Sequence, residues 1–416
     1  MDFDSVFIYP GGVSRRQLIN SGCGIEDDSG GVSETTSFLK RIRNTSRKEY
    51  LAYCTGLEQR GYQTVFLRDV PSGFYRTFLT EYGMVHSYYT PARRETRIVL
   101  DRSGVPVNVF TEKDPVFIRP DTELMQFSLY YGPMIRGLSA DCGMMYVFRL
   151  RTNELIIIDG GIREQATEDA MEEFVKRVRE LTCAEEGEKI RIALWICTHA
   201  HDDHMEFLPI LMRTHPGLFV LKRMLFNFPP RSFRGMSACV DQVKKDLRLL
   251  APDALCHKAH TGELLQVGNA GIEILLTGED LYEGRRDRYS FNGTSVILKI
   301  ETEGFRTLIM GDAERANCRI LTERFGESLR PCHFLQAAHH VINDLEDWYA
   351  FVQADWVLAP QGEENIRKRF SSQYEGIVRH TSPDRILLAG SATTVFRLCE
   401  EKIEKTDFPP VGHPFP

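Results

Sequence analysis

The stretch Leu194-Trp195-Ile196-Cys197-Thr198-His199-Ala200-His201-Asp202-Asp203-His204 restricts this chain more than any other. An apolar run that reads as a buried strand ends in a loop with three histidines between positions 199 and 204. In an extended loop His199 and His201 point the same way, so two imidazoles can meet one cation. Asp203 and His204 follow closely enough to serve a second cation beside it. A lone histidine at a strand end is ordinarily a surface or hydrogen-bonded residue. Packing alone gives no reason to crowd so many coordinating groups at one strand end.

Other predicted strands deliver similar groups. Met144 to Leu150 and Leu155 to Ile158 read as a hairpin around Arg151-Thr152-Asn153, and the second arm runs into Asp159-Gly160-Gly161. The acid there can hydrogen-bond whatever sits above the strand ends, or simply shape the turn. Thr167 to Thr182 reads as a helix with Met171, Phe174, Val175, Val178 and Leu181 on its buried stripe, followed by the Arg191 to Cys197 strand. Phe207 to Leu211 reads as a helix, Phe219 to Phe228 as one strand, and Val240 to Leu250 as a further helix. Later strands are expected at Leu264 to Val267, Ile272 to Leu276, Thr294 to Glu301 and Phe305 to Met310, the last ending in Gly311-Asp312. His333 to Ala337 then leads to Ala338-His339-His340. Adjacent residues leaving a strand point apart, so one of the two histidines is expected to bind metal. His340 is taken as the ligand and His339 as a substrate-facing or supporting partner.

The H-x-H-x-D-H hexad resembles the signature of the metallo-β-lactamase fold superfamily, and the resemblance runs through the other motifs from about Tyr146 to Leu398. It implies an α/β chain whose residues 121 to 416 form a four-layer αββα sandwich. It also implies two divalent metal ions, with zinc the first expectation from imidazole-rich ligation and manganese or iron compatible with the oxygen donors. On this reading His199, His201 and Asp312 hold one ion; Asp203, His204, Asp312 and His340 hold the other. Asp312 bridges the pair, Asp159 supports the ligands, and Asp203 and His339 take part in catalysis. The activity implied is hydrolysis by a metal-bound hydroxide. Many members carry a further ligand histidine after the strand that is Ile272 to Leu276 here, but no histidine lies between His260 and His333. His260 precedes that strand and reads as a loop residue. This gap, Asn292-Gly293-Thr294-Ser295-Val296 and the double histidine resemble the competence-protein and phosphorylcholine esterase branches, which act on phosphate esters. Met205-Glu206-Phe207 and Val341-Ile342 depart from the first branch, where glycine, or glycine and serine, are usual.

The remainder of the chain sets limits. Residues 1 to 35, with Asp27-Asp28-Ser29-Gly30-Gly31, read as a loosely held leader. Residues 36 to 120 read as a small α+β accessory domain, with a capping box at Ser46-Arg47-Lys48-Glu49 and short strands from Tyr62 to Leu100, in which His86 is structural. No apolar segment approaches the roughly 20 residues that span a bilayer, and the acidic start Met1-Asp2-Phe3-Asp4 is unlike a secretory signal, so a cytoplasmic protein is expected. The ten cysteines include no C-x-x-C pair, which argues against a cysteine zinc site. A formal charge of −7 argues against a general nucleic-acid coat. Arg93-Arg94 with Arg97, and Arg285-Arg286 with Arg288, remain able to line a local groove. The expected substrate is a small-molecule or oligonucleotide phosphoester. A carboxylic ester, lactone or thioester hydrolase and a non-catalytic, metal-stabilised binding module are the alternatives.

Overall fold

The computed structural model describes residues 3–14, 19–22, 37–129, 143–229, 239–282, 290–399 and 402–409. Arg285, Arg286, Arg288 and the Asp27 to Gly31 run lie outside them.

The triple isoleucine Ile156 to Ile158 shows why the fold is layered. Its strand, Leu155–Asp159, pairs antiparallel with Met145–Arg149 and parallel with Ile190–Cys197. Both faces of such strands are apolar, so both must be covered. One face carries Ile156, Ile158, Leu194 and Ile196, which pack against Ile272, Ile274, Leu298, Ile300 and Ile309 of a second sheet. The alternate residues Leu155, Ile157, Trp195 and Cys197 pack against Phe174 and Val178 of the helix Glu168–Thr182, and against Leu208, Leu211, Val243 and Leu247 of the helices Phe207–Thr214 and Cys239–Leu250. The second sheet is covered in the same way. Leu275, Ile297, Leu308, Leu335 and Val357 face Leu321, Trp348 and Ile377, from the helices Arg315–Phe325, Glu346–Val352 and Ser371–Val378. Two sheets therefore lie back to back with helices outside, the αββα arrangement. Each isoleucine fully buried between the sheets contributes about 1.5 to 3 kcal/mol.

The first sheet runs Leu255–Lys258, Arg223–Phe226, Ile190–Cys197, Leu155–Asp159, Met145–Arg149, Thr122–Gln126, Thr393–Cys399 and Lys402–Phe408. The second runs Leu264–Val267, Ala270–Leu276, Ile297–Thr302, Phe305–Ile309, Phe334–Gln336, Trp356–Ala359 and Ile386–Leu388. The single strand expected over Phe219 to Phe228 is broken at Lys222. Phe219–Leu221 and Arg223–Phe226 pair separately with the two ends of Ile190–Cys197, and the Lys222 ammonium turns aside to Glu154.

A third sheet, antiparallel at every pairing, comprises Val13–Ser14, Ser37–Arg43, Glu95–Asp101, Gly83–Thr90, Gly73–Thr80 and Gln63–Val70, with Ile19–Gly22 also on Ser37–Arg43. The helix Arg47–Gln59 packs Tyr50, Tyr53, Cys54 and Leu57 onto it. Its capping box is present: Glu49 N donates to Ser46 Oγ, and the Glu49 carboxylate accepts from Ser46 N at 2.7 Å. Part of the stretch expected to be a loose leader is packed, because Val6 and Phe7 enter this core and the Tyr53 hydroxyl donates to the Val6 carbonyl at 2.7 Å.

This sheet is fastened to the sandwich by buried charge. His260, expected in a loop, is only 1% exposed. Its ring nitrogens lie 3.1 Å from Asp101 and 3.0 Å from Glu279. Burial works against its charge, but Glu279 and Asp101 outweigh that and push its pKa up to about 10. His86 stacks on it at 5.0 Å, and burial, with the neighbouring positive ring, pushes His86 down to about 4. Of the basic cluster expected to line a groove, Arg97 is drawn into the same junction, while Arg94 is exposed and Arg93 half-buried. Arg97 is 1% exposed, pairs with Glu95, and donates to the carbonyls of Glu279 and Tyr282. Buried in this way, it is not available to a polyanion.

Candidate metal centre

The groups singled out in the sequence meet where strands of both sheets end. Ile190–Cys197 runs into the His199 to His204 loop, Leu155–Asp159 ends on Asp159, Phe305–Ile309 leads to Asp312, and Phe334–Gln336 leads to the histidine pair. The approach of the two sheets is close. Gly311 has φ +54°, and a Cβ there would stand 2.9 Å from the side chains of Ser295 and Thr198. Glycine before Asp312 lets one sheet's strand end reach the other's loop.

Asp312 lies at the middle. Its Oδ1 is 3.3 Å from His204 Nε2 and 3.5 Å from His340 Nε2; its Oδ2 is 3.5 Å from His199 Nε2. The ligand atoms of His199, His204 and Asp312 lie within 4.8 Å of one another, as do those of Asp203, His204 and His340. His201 lies beside these groups without belonging to either, with Nδ1 2.9 Å from His199 Nε2 and its ring stacked on Phe291 at 4.7 Å. Asp203 approaches His340 Nε2 at 3.3 Å and, at 27% side-chain exposure, is the most open of the groups close to Asp312.

These positions are held from behind. Asp159 is fully buried in a left-handed conformation, φ 56°. It accepts from Thr198 N and Thr198 Oγ1, each at 2.7 Å, and faces His204 Nδ1 at 2.8 Å. With that hydrogen bond made, the Nε2 lone pair of His204 is directed at the centre. Asp312 N donates to Ser295 Oγ at 3.0 Å. Gln361 Nε2 donates to the His340 carbonyl at 3.0 Å, and His340 Nδ1 lies 3.3 Å from the Pro360 carbonyl. Thr198 lies inside the motif. Ser295 lies inside the Asn292 to Val296 run; Gln361 carried no chemical signal of its own, because its role depends on chain segments distant in sequence.

The adjacent histidines do not leave the strand in extended backbone. His339, His340 and Val341 all adopt left-handed backbone conformations, with φ 49°, 50° and 62°. An extended chain alternates its side chains; this turn does not, and His339 Nε2 also approaches Asp312 Oδ2, at 3.7 Å.

The electrostatics are those of a site that binds cations in place of protons. Burial opposes a charged His204, yet Asp312, Asp203 and Asp159 hold it well above the ordinary imidazole range. His340 is raised against burial by Asp312 and Asp203. Burial and the charge on His204 drive His199 well below that range, and burial also lowers His201. Asp312 is held well below the usual carboxylate range, the imidazoles outweighing its burial. His204 Nε2 and His340 Nε2 face each other at 3.3 Å, a poor arrangement for two protonated rings. Asp312 Oδ1 is buried without a hydrogen-bond donor among the described residues. Divalent cations among these lone pairs and carboxylates would satisfy both features, so the donor set fits such ions.

No family profile and no curated protein matches the chain. Solved structures do resemble it. The metallo-β-lactamase fold protein YhfI from Bacillus subtilis is 12% identical, covers 63% of this chain with 94% of its own, and has a TM-score of 0.38. The diiron β-hydroxylase CmlA from Streptomyces venezuelae is 14% identical over 65% of this chain and 52% of its own, at 0.36. The short form of human tRNase Z is 12% identical over 59% and 94%, at 0.31. Likenesses this distant carry no weight by themselves. The αββα layering and the gathering of histidines and aspartates at the strand ends are read from this chain's own packing.

Proposed function

We propose that the protein is a metal-dependent hydrolase acting on phosphoesters. The observation that carries this reading is Asp312, whose two carboxylate oxygens face separate sets of imidazoles, Oδ1 those of His204 and His340, Oδ2 that of His199. One cation would be held by His199, His201 and Asp312, the other by Asp203, His204, Asp312 and His340. Zinc suits the imidazole-rich set, and manganese or iron suits its carboxylates. Bound there, such ions supply a hydroxide at neutral pH and neutralise charge developing on the substrate.

The chain's own contribution is orientation and proton handling. Asp159 fixes the His204 tautomer, Gln361 and the Pro360 carbonyl fix His340, and Ser295 fixes the backbone of Asp312. Phe291, stacked on His201, shields that ring from water. Asp203, the most open of these carboxylates, would orient the attacking water and take its proton at a carboxylate oxygen. The preference for phosphoesters comes from the branch resemblance of the Asn292 to Val296 run and the double histidine. The formal charge of −7 and the burial of Arg97 favour a small phosphoester over a polymeric one.

The test is hydrolysis by protein loaded with zinc or manganese, offered bis(p-nitrophenyl) phosphate, a nitrophenyl acetate and a lactone. Cleavage of the phosphodiester supports the proposal. Activity confined to the carbonyl compounds removes phosphoesters from it, and no activity with any of the three, in protein that binds metal, favours a binding module.

A further inference from the structure

The parallel strands Leu155–Asp159 and Ile190–Cys197 end at the metal centre, so their first residues lie at the opposite pole of the sandwich. The helix Glu168–Thr182 also ends at this pole, next to the turn Arg151 to Glu154. Among these ends lies an open cleft of about 680 Å³, inside the range of roughly 300 to 1,000 Å³ that ligand pockets occupy.

The cleft has acceptors without donors. The Glu154 side chain is only 8% exposed; its Oε1 pairs with the Lys222 ammonium, and its Oε2 is buried without a partner among the described residues. Asn153 Nδ2 donates to the Thr182 carbonyl at 2.8 Å. That bond fixes the amide and leaves Oδ1 an acceptor, also buried and without a partner among the described residues. Thr182 closes the helix Glu168–Thr182, and a helix C-terminus carries partial negative charge. A carboxylate oxygen, an amide oxygen and a helix C-terminus together select a cationic N–H donor.

Other groups on the same wall select an anion. Arg119 Nη1 donates to Cys183 Sγ at 3.3 Å, while Arg119 Nε is buried without a partner among the described residues. Lys189 and Arg191 line the cleft from exposed positions. Glu188, the second acid of the lining, accepts from the Glu185 amide at 2.8 Å. Ile118, Ala184 and Ile190 add apolar surface, with Ile118 66% exposed.

We propose that this cleft binds an apolar α-amino acid or a dipeptide containing one, with the ammonium on Glu154 Oε2 and Asn153 Oδ1 and the carboxylate among Arg119, Lys189 and Arg191. A ligand lacking either charge leaves one of these sets bare. The site stands at the far end of the sandwich and does not rest on the hydrolase reading of the metal centre.

The experiment is titration of the full chain with L-leucine and with glycyl-L-leucine, followed by saturation-transfer NMR. N-acetyl-L-leucine, which lacks the ammonium, and L-leucinamide, which lacks the carboxylate, are run alongside. Cys183, the one exposed cysteine among the described residues, gives a second readout, the rate at which a thiol reagent labels it, isolated by comparison with Cys183→Ser. The expected result is that a zwitterion binds and slows this labelling, and that the two blocked compounds bind at least about 10-fold more weakly. Glu154→Gln and Arg119→Gln should weaken the zwitterion by a similar factor, with circular dichroism verifying each fold. Asn153→Gly serves if Glu154→Gln does not fold, because glycine keeps the φ of 63° at that position. If neither zwitterion binds, if the blocked compounds bind as well, or if the folded variants bind unchanged, the cleft holds water only and the proposal is overturned.

Discussion

Replacing Asp159 by asparagine isolates one physical effect, the tautomer of His204. The carboxylate accepts two hydrogen bonds from Thr198 at 2.7 Å and faces His204 Nδ1 at 2.8 Å. An asparagine that keeps its carbonyl on the Thr198 amide presents an NH2 group to that nitrogen. The ring then moves its proton to Nε2, where it points into the centre and blocks the lone pair. Partners of this kind are worth about 10- to 100-fold in metal affinity, or about 1.4 to 2.8 kcal/mol. Because His204 is assigned to the cation held with Asp203, Asp312 and His340, that equivalent is expected to weaken. In metal-free protein the same substitution removes one of the three carboxylates facing the buried His204, Asp312 and Asp203 remaining, and is expected to cost about 1 to 3 kcal/mol. Competition with a chromophoric chelator reads the first effect, and urea unfolding in excess chelator reads the second. A folded Asp159→Asn protein with wild-type affinity for both ions would refute the tautomer argument.

Three further outcomes are expected. His260, raised to about 10 from an ordinary 6.5, contributes stability that is whole below about pH 6.5 and is lost as the pH rises through about 10. The stability difference between wild type and His260→Gln in denaturant titrations should therefore narrow from pH 6.5 to 10, and a difference that stays constant or grows would contradict the buried ion pairing. Ile196→Ala, at a fully buried position between the sheets, should lower stability by about 2 to 5 kcal/mol; a loss under 1 kcal/mol would mean that the sheets do not pack there. Zinc at a hundred times its dissociation constant should stabilise the folded chain by about 2.7 kcal/mol per site, measured as a shift in the urea midpoint that chelator reverses.

Much of the layered architecture was legible because strands covered on both faces must be apolar throughout, and Leu155 to Ile158 and Leu194 to Cys197 are so. The helix Glu168–Thr182 was legible for the complementary reason, an apolar stripe at helical spacing capped by Thr167. The hexad was legible because groups close in sequence on one loop must remain close in space. Asp312 and His340 could be named because each follows an apolar run, but the 3.3 and 3.5 Å approaches to one carboxylate oxygen belong to the fold.

Other features needed the whole molecule. The direction of His339 depends on a left-handed turn that a β-branched residue, Val341, shares at φ 62°, and local preference argues against such a turn. His260 lies in a loop as expected, but its burial depends on Asp101, more than 150 positions earlier, which the fold brings to 3.1 Å of it. Arg97 resembles part of a surface cluster until the third sheet docks and buries it. The amino-acid sequence by itself determined which strands are buried and that a loop of coordinating groups opens at their ends, because those properties follow from residue type and spacing. Only the tertiary structure decided which nitrogen meets which oxygen and which charges are taken out of water, because both are set by contacts between segments whose separation along the chain says nothing about their distance in space.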